Sequence, residues 1–111
     1  MKFNIVSTKN FEKEAKHLLK KYASLKKELV ELNAQLEVNP EMGTALGKNS
    51  FKIRLAISSK GKGKSGGARI ITYLYRKGNS LFLLSIFDKS EQENISDEKL
   101  QLLIDAVDKE I

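Results

Sequence analysis

The first half of the chain carries apolar residues at the spacing that one buried face of an α-helix requires. In the first stretch they fall at Phe11, Ala15, Leu18, Leu19 and Tyr22. In the second stretch they fall at Leu25, Leu29, Leu32 and Leu36. This spacing predicts two amphipathic helices, the first capped by Thr8 or Asn10 and the second by Ser24. Asn39-Pro40 ends the second helix because the residue before proline avoids helical geometry, and the short junction makes the pair a hairpin.

From residue 51 onward the apolar period changes to two, which is typical of β-strands. Strands are predicted over residues 3–6, 51–57, 68–75 and 81–87. Residues 40–50 and 58–67 are predicted as loops, the second of them mobile because it holds only Ser, Lys and Gly. Ser96 caps a last helix. The order β-α-α-β-β-β-α predicts an α+β fold, one domain over residues 1–111, in which a two-helix hairpin packs on a mainly antiparallel sheet of about four strands.

Length and composition indicate one soluble globular domain. The chain has 111 residues, of which 41% are hydrophobic and 31% are charged. It has no cysteine, which excludes disulfides, thiolate zinc sites, iron–sulfur clusters and cysteine nucleophiles. The longest apolar run, near Leu81–Phe87, is far shorter than the ~20 residues that span a bilayer. The absence of cysteine fits a reducing cytoplasm, and no signal peptide is visible at the N-terminus.

Positive charge is concentrated in the middle of the chain. The net charge is +6, but residues 48–77 hold six lysines and all three arginines without one Asp or Glu, whereas residues 78–111 are acidic. Such a block indicates a polyanionic partner, with nucleic acid as the first choice. The alternatives are a solubilising surface and an acidic protein partner.

Residues 58–67, which we call the glycine–lysine loop, combine lysine charge with glycines that let a backbone approach an anion closely. Gly63-Lys64-Ser65 resembles the end of a phosphate-binding P-loop. That motif needs a glycine where Ser58 stands, and it needs a helix where a strand is predicted here, so the sequence argues against nucleotide hydrolysis. The alternative is a hairpin connection with solvated lysines.

Arginines flank the loop on both neighbouring strands. Arg54 points away from the core by strand alternation, and Arg69 opens the next strand. Antiparallel pairing is expected to gather four residues on one sheet surface: Arg54, Arg69, Phe87 and Lys89. Arginine forks match phosphate oxygens, and an aromatic ring can stack on a base. The pattern therefore predicts a site for an RNA phosphate.

Three motifs together resemble the RelE/ParE superfamily of bacterial toxins, in particular the HigB/RelE-type members. They are Lys52–Ala56, Lys60–Tyr73 and Leu83–Glu91. The resemblance implies a bacterial, cytoplasmic toxin that a co-encoded antitoxin neutralises, and whose complex with the antitoxin binds operator DNA. It also implies an endoribonuclease (mRNA interferase) that cuts messenger RNA on the ribosome without a metal or cofactor. In that reaction the ribose 2′-hydroxyl attacks the adjacent phosphate and leaves a 2′,3′-cyclic phosphate.

By the same resemblance, Arg54 and Arg69 are expected to bind the phosphate and the transition state. Four lysines are expected to hold substrate or ribosomal RNA: Lys52, Lys60, Lys62 and Lys64. Crowded like charges lower a lysine pKa, so one loop lysine is a candidate base. Many relatives have tyrosine where Phe87 stands, and phenylalanine keeps the stack but loses the hydroxyl. Proton transfer would then fall to Lys89, Asp88 or a loop lysine.

Other interpretations stay open from the sequence. Phe87 can be a plain core residue, Asp88 a turn or salt-bridge residue, and His17 a solvent-facing side chain. A ParE-like toxin would poison DNA gyrase without cutting RNA. A catalytically weak member would act mainly by binding antitoxin and operator DNA. The acidic C-terminal helix, residues 96–111, is expected to close over part of the core.

Overall fold

The computed structural model describes residues 2–61 and 63–110, without the side chains of Lys64 and Ser65. The strands are β1 (Asn4–Ser7), β2 (Thr44–Gly47), β3 (Ser50–Leu55), β4 (Ala68–Tyr75) and β5 (Ser80–Asp88). The helices are α1 (Lys9–Lys21), α2 (Leu25–Val38), the short α3 (Gly63–Gly66) and α4 (Asp97–Asp108). Among the described residues, no helix has both the length and the apolar character that crossing a membrane requires.

The strands form one mixed sheet in the order β1-β5-β4-β3-β2. β1 runs parallel to β5, and every other neighbouring pair is antiparallel. The α+β prediction is confirmed, but the described sheet has five strands rather than about four. The extra strand is β2, which lies in the predicted loop 40–50. Its turn into β3 places Lys48 and Asn49 at positive φ, a hairpin geometry that Asn-Gly signals better than Lys-Asn does.

Each face of the sheet has its own core. On the hairpin face, α1 and α2 bury apolar side chains such as Leu18, Leu25 and Leu36 against Ile70 and other residues of the strands. On the opposite face, which we call the α4 face, the helix α4 covers a smaller cluster. That cluster contains Ile71, Leu84, Phe87, Leu100, Ile104 and Val107. The prediction that the C-terminal helix closes over part of the core is confirmed.

A bulge changes the side-chain alternation of β5. The pairing with β4 shifts register between Ile71 and Thr72, so that Leu84 is an extra residue on β5. Leu83 therefore packs on the hairpin face, whereas Leu84 and Phe87 pack on the α4 face. Simple alternation along β5 would put Leu83 and Phe87 on one face, and it fails here because the bulge adds one residue between them.

The helix α1 closes the edge of β5 that β1 leaves uncovered. Beyond Ser7, the hydroxyl of Thr8 donates to the Leu83 carbonyl at 2.8 Å, and the amide of Asn10 donates to the Leu84 carbonyl at 2.9 Å. The Glu14 carboxylate accepts from the Ser85 hydroxyl at 2.7 Å. Side chains of the helix thus take the place of a neighbouring strand.

Two of the three predicted helix caps are confirmed. Thr8 accepts from the Phe11 amide at 3.2 Å and Ser96 accepts from the Lys99 amide at 3.1 Å. Ser24 precedes α2 but makes no capping hydrogen bond, because its hydroxyl bonds Glu28 and Ser59 instead. The hydrogen bond between the hydroxyls of Ser24 and Ser59 ties the start of α2 to the glycine–lysine loop.

Candidate functional site

Two arginines and an aromatic ring form one row across the three central strands. In the strand registers, Arg54 of β3 lies opposite Arg69 of β4, and Arg69 lies opposite Phe87 of β5. Alternation with Ile53 and Ile70, which pack on the hairpin face, puts both arginines on the α4 face. The predicted juxtaposition of these three residues is therefore present, at the end of the sheet next to the glycine–lysine loop.

The two guanidinium groups differ in exposure. Arg69 is 3% exposed and donates to the Ala68 carbonyl at 3.2 Å, whereas Arg54 is exposed. Burial, and then the neighbouring charge of Arg54, lowers the pKa of Arg69. The pair therefore places an exposed positive charge next to a buried one at this end of the sheet.

The other two predicted cations of this face contact the segment that leads to α4. Lys52 donates to the side-chain oxygen of Asn94 at 3.1 Å. Lys89 pairs with Glu93 at 2.9 Å, and its hydrogen bond lowers the pKa of that carboxyl. Both lysines are only partly exposed. RNA binding by either ammonium group would have to compete with these contacts.

Phe87 is a core residue in this structure. It is 5% exposed and packs with Ile71, Leu100 and Ile104 beneath α4. The ring therefore has no open face for a base, in contrast to the predicted stacking role. Of the two interpretations drawn from the sequence, the structure favours the plain core residue.

A tyrosine hydrogen bond connects the end of α4 to the sheet. The Tyr73 hydroxyl donates to the Asp108 carboxylate at 2.9 Å. Burial, and then Asp108, raises the pKa of Tyr73 to about 12. The phenol therefore stays protonated at neutral pH and is unsuited to be a general base there.

Replacing Tyr73 by phenylalanine should cost about 1 kcal/mol of stability, because Asp108 loses its donor. The raised pKa means that the stability contributed by Tyr73 is fully present below the unfolded tyrosine value and is lost as the pH rises through about 12. An ultraviolet titration of the native protein should show one phenol that ionises only near pH 12, and Tyr73→Phe should lack this step. A step near pH 12 that persists in the variant would contradict the assignment of that raised pKa to Tyr73.

The glycine–lysine loop contains more regular structure than predicted. Its described part forms a 3-10 turn over Ser58–Lys60 and the short helix α3, so its assignment as plain loop was wrong. Lys60 is directed into an internal ion pair. Lys62 lies outside the described residues, as does the side chain of Lys64, so their predicted RNA contacts stay predictions.

A buried carboxylate at the base of the loop gathers donors from several elements. The side chain of Asp88 is fully enclosed and pairs with the ammonium of Lys60, whose side chain is 10% exposed. It also accepts from the Tyr22 hydroxyl, from the Ser90 amide at 2.9 Å and from the Ser90 hydroxyl at 2.7 Å. Lys21 lies 3.8 Å away. We call Tyr22, Lys60, Asp88 and Ser90 the Asp88 cluster.

The balance of forces in the Asp88 cluster keeps the carboxylate ionised. Burial by itself would raise the pKa of Asp88, but the hydrogen bonds from Lys60, Tyr22 and Ser90 outweigh burial and hold it well below the usual range. Of the roles weighed for Asp88, the salt-bridge role is confirmed. The partners Tyr22 and Ser90 were missed, and Tyr22, 66 positions away, could not be found from local sequence.

The remaining titratable candidates lie elsewhere. His17 is exposed on α1, as predicted. Within residues 2–61 and 63–110, no three His, Asp or Glu side chains converge in a way that could hold a metal ion.

The chain is similar to a known protein family and to several solved structures. The family whose model matches residues 3–109 is described as the RelE toxin of the RelE/RelB toxin–antitoxin system. A free double-arginine mutant of Escherichia coli toxin RelE has a TM-score of 0.62 at 13% identity, covering 96% of this chain and 99% of its own.

Two further solved structures have the same fold. The toxin–antitoxin complex RelBE of E. coli gives a TM-score of 0.60 at 15% identity, covering 78% of this chain and 95% of its own. A metal-bound toxin from Helicobacter pylori gives 0.51 at 21% identity, covering 80% of this chain and 97% of its own.

Proposed function

The chain belongs to the RelE toxin family, whose members are type II toxins, and from that premise we propose that it is an endoribonuclease that cuts messenger RNA on the ribosome. The observation that carries the proposal is the facing pair of Arg54 and Arg69 on the α4 face. Two adjacent guanidinium groups bind a phosphodiester well and an uncharged ligand poorly.

In the proposed reaction, the 2′-hydroxyl loses its proton and its oxygen bonds to the adjacent phosphorus. The bond from phosphorus to the 5′-oxygen breaks, and that oxygen takes up a proton, leaving a 2′,3′-cyclic phosphate. Arg54 and Arg69 stabilise the extra negative charge of the transition state. Lys89 is the candidate for proton transfer, and Lys52, on the same strand as Arg54, is a candidate RNA contact.

We also propose a cognate antitoxin as the protein partner. The RelBE structure contains such a partner for a toxin of similar fold. The middle block of the chain, residues 48–77, has no acidic residue and offers an acidic partner its complement. Operator DNA would then be bound through the complex, and the site of action would be the bacterial cytoplasm, where ribosomes and messages are.

A catalytically weak toxin is the second candidate, and one observation favours it. Phe87 has no hydroxyl and is packed under α4, so it offers neither a proton nor a stacking surface. Such a protein would act mainly by binding antitoxin and operator DNA.

The test is primer extension on a message translated in a purified system, with and without ribosomes. We expect cuts at codon-phased positions only when ribosomes are present. Arg54→Ala should lower the cleavage rate about 10²-fold or more, because a transition-state contact is lost.

The matched control is Arg76→Ala, which removes an exposed arginine paired with Glu41 at 3.0 Å and leaves the arginine row intact. Full cleavage by Arg54→Ala would refute its role. A folded, toxic protein that makes no cuts would move the assignment to a gyrase poison, and a folded protein with neither effect to a weak toxin.

A further inference from the structure

Lys60 lies on the wrong side of the sheet for a ligand of the RNA phosphate. Its partner Asp88 lies opposite Ala68, and Ala68 packs on the hairpin face. Arg54 and Arg69 point to the other face. The ammonium of Lys60 therefore lies on the hairpin face of the sheet, over the ring of Tyr22 and 5.7 Å from its centroid.

A second contact holds the start of the loop to α2. The Glu28 carboxylate accepts from the Ser58 amide at 2.7 Å and also from the Ser58 hydroxyl. The hydroxyl of Ser24 accepts from the Ser59 amide at 2.9 Å. Two consecutive backbone amides of the loop thus end on side chains of the helical hairpin.

The far end of the loop is fixed by close backbone contacts. A Cβ at Gly67 would lie 2.0 Å from the Leu55 carbonyl oxygen, so only glycine lets the loop close against the end of β3. The Gly67 carbonyl accepts from the Lys89 amide at 3.0 Å. The loop therefore leaves the sheet shortly after Arg54 and re-enters it just before Arg69, and both of its ends are held at fixed points.

We propose that Glu28 and Asp88 are positioning residues that clamp the glycine–lysine loop to the junction of α1 and α2, and that Lys60 is an internal tether of this clamp. The existence of the clamp does not depend on the proposed function. The purpose of holding the loop in place does, because the loop would be positioned for RNA cleavage. The clamp fixes the segment that connects the strands of Arg54 and Arg69, so that the arginine pair is held in place before RNA arrives. Preformed geometry of this kind is worth much in catalysis, because small misplacements of a site can cost up to 10²-fold in rate.

The first arm of the test needs no activity. Amide hydrogen exchange is measured on the native protein, on Glu28→Ala and on Glu31→Ala, an exposed position of the same helix. We expect the Ser58 and Ser59 amides to exchange at least 10-fold faster in Glu28→Ala, with β4 amides unchanged and Glu31→Ala like the native protein. Unchanged Ser58 and Ser59 exchange in Glu28→Ala would overturn the clamp, whether or not the protein cuts RNA.

The second arm uses ribosome-dependent cleavage. Glu28→Ala should lower kcat about 10-fold with little change in KM, and Glu28→Gln, whose amide oxygen can still accept from Ser58, should restore most of it. An equal loss in Glu31→Ala, or no rescue by Glu28→Gln, would overturn the positioning role. If the native protein makes no cuts at all, the proposed function fails while the exchange arm still decides the clamp.

The third arm separates a tether from an RNA ligand by salt dependence. Each lost phosphate contact reduces the slope of log affinity against log salt by roughly 0.7–0.9. Affinity for programmed ribosomes should keep the native slope in the double variant Lys60→Met/Asp88→Asn, which neutralises the buried pair together and so avoids an unpaired charge. A slope reduced by that amount, with the native slope kept in Glu28→Ala, would show that Lys60 binds phosphate and overturn its role as a tether.

Discussion

Arg69→Ala should reduce ribosome-dependent cleavage by at least 10²–10³-fold, the loss expected when a fixed charge is removed from a developing anion. The effect should exceed that of Arg54→Ala, because Arg69 is buried and its position is held by the sheet, whereas Arg54 is exposed. The measurement is the single-turnover cleavage rate on ribosomes programmed with a defined message. A loss in rate with ribosome binding retained would place the effect in the transition state.

Arg69→Lys distinguishes charge from shape. Lysine keeps the positive charge but lacks the planar fork, so we expect it to recover only a small part of the rate. Circular dichroism and urea unfolding of each variant identify any loss that comes from misfolding. Native cleavage by folded Arg69→Ala would contradict the site assignment, and full rescue by lysine would mean that a simple point charge suffices.

Asp88→Asn should destabilise the protein by about 3–5 kcal/mol, because it leaves the nearly buried ammonium of Lys60 without its counter-charge. Glu93→Gln is the matched control. It breaks the ion pair with Lys89, but the Glu93 side chain is 84% exposed, so the change should stay within about 1 kcal/mol. Urea unfolding at neutral pH measures both.

The same substitution should change the response to acid. The folded-state pKa of Asp88 lies below its ordinary value of 3.8, so its stabilising contribution is present above that value and is lost as pH falls below it. The gap in stability between the native protein and Asp88→Asn should therefore be largest near neutral pH and narrow on acidification. A gap that stays constant from pH 7 to pH 3 would contradict the ion-pair explanation.

The parts of the fold that follow a local period could be predicted from sequence. Both hairpin helices, β3 to β5 and the cap at Ser96 were predicted near their observed positions, because a stripe of apolar residues or a simple alternation fixes them. The strand β2 was missed because its turn depends on two non-glycine residues at positive φ. The alternation of side chains along β5 fails at Leu84 for a similar reason, since a bulge depends on the pairing between strands rather than on composition.

The candidate site could also be predicted from sequence only in part. Arg54 and Arg69 could be placed together because both lie on regular strands that pair. Lys60 was expected to hold RNA because of the family resemblance and the positive charge of the glycine–lysine loop. Its real partner, Asp88, is 28 residues away in sequence, and only the crossing of the loop behind the sheet brings them together. The density of positive charge along the sequence indicates a polyanion site, but it does not show which lysines form ion pairs inside the fold instead.

The side chains of α1 along β5 also bear on how the protein avoids aggregation. β5 is buried at most positions, and β1 covers only its first four residues, Ser80 to Leu83. An apolar strand with a free edge is a template for pairing with another chain. Thr8, Asn10 and Glu14 occupy the next backbone and hydroxyl groups of that strand. In the folded protein the first two turns of α1 thus block edge-to-edge association at β5, beyond what their buried apolar stripe contributes to the core.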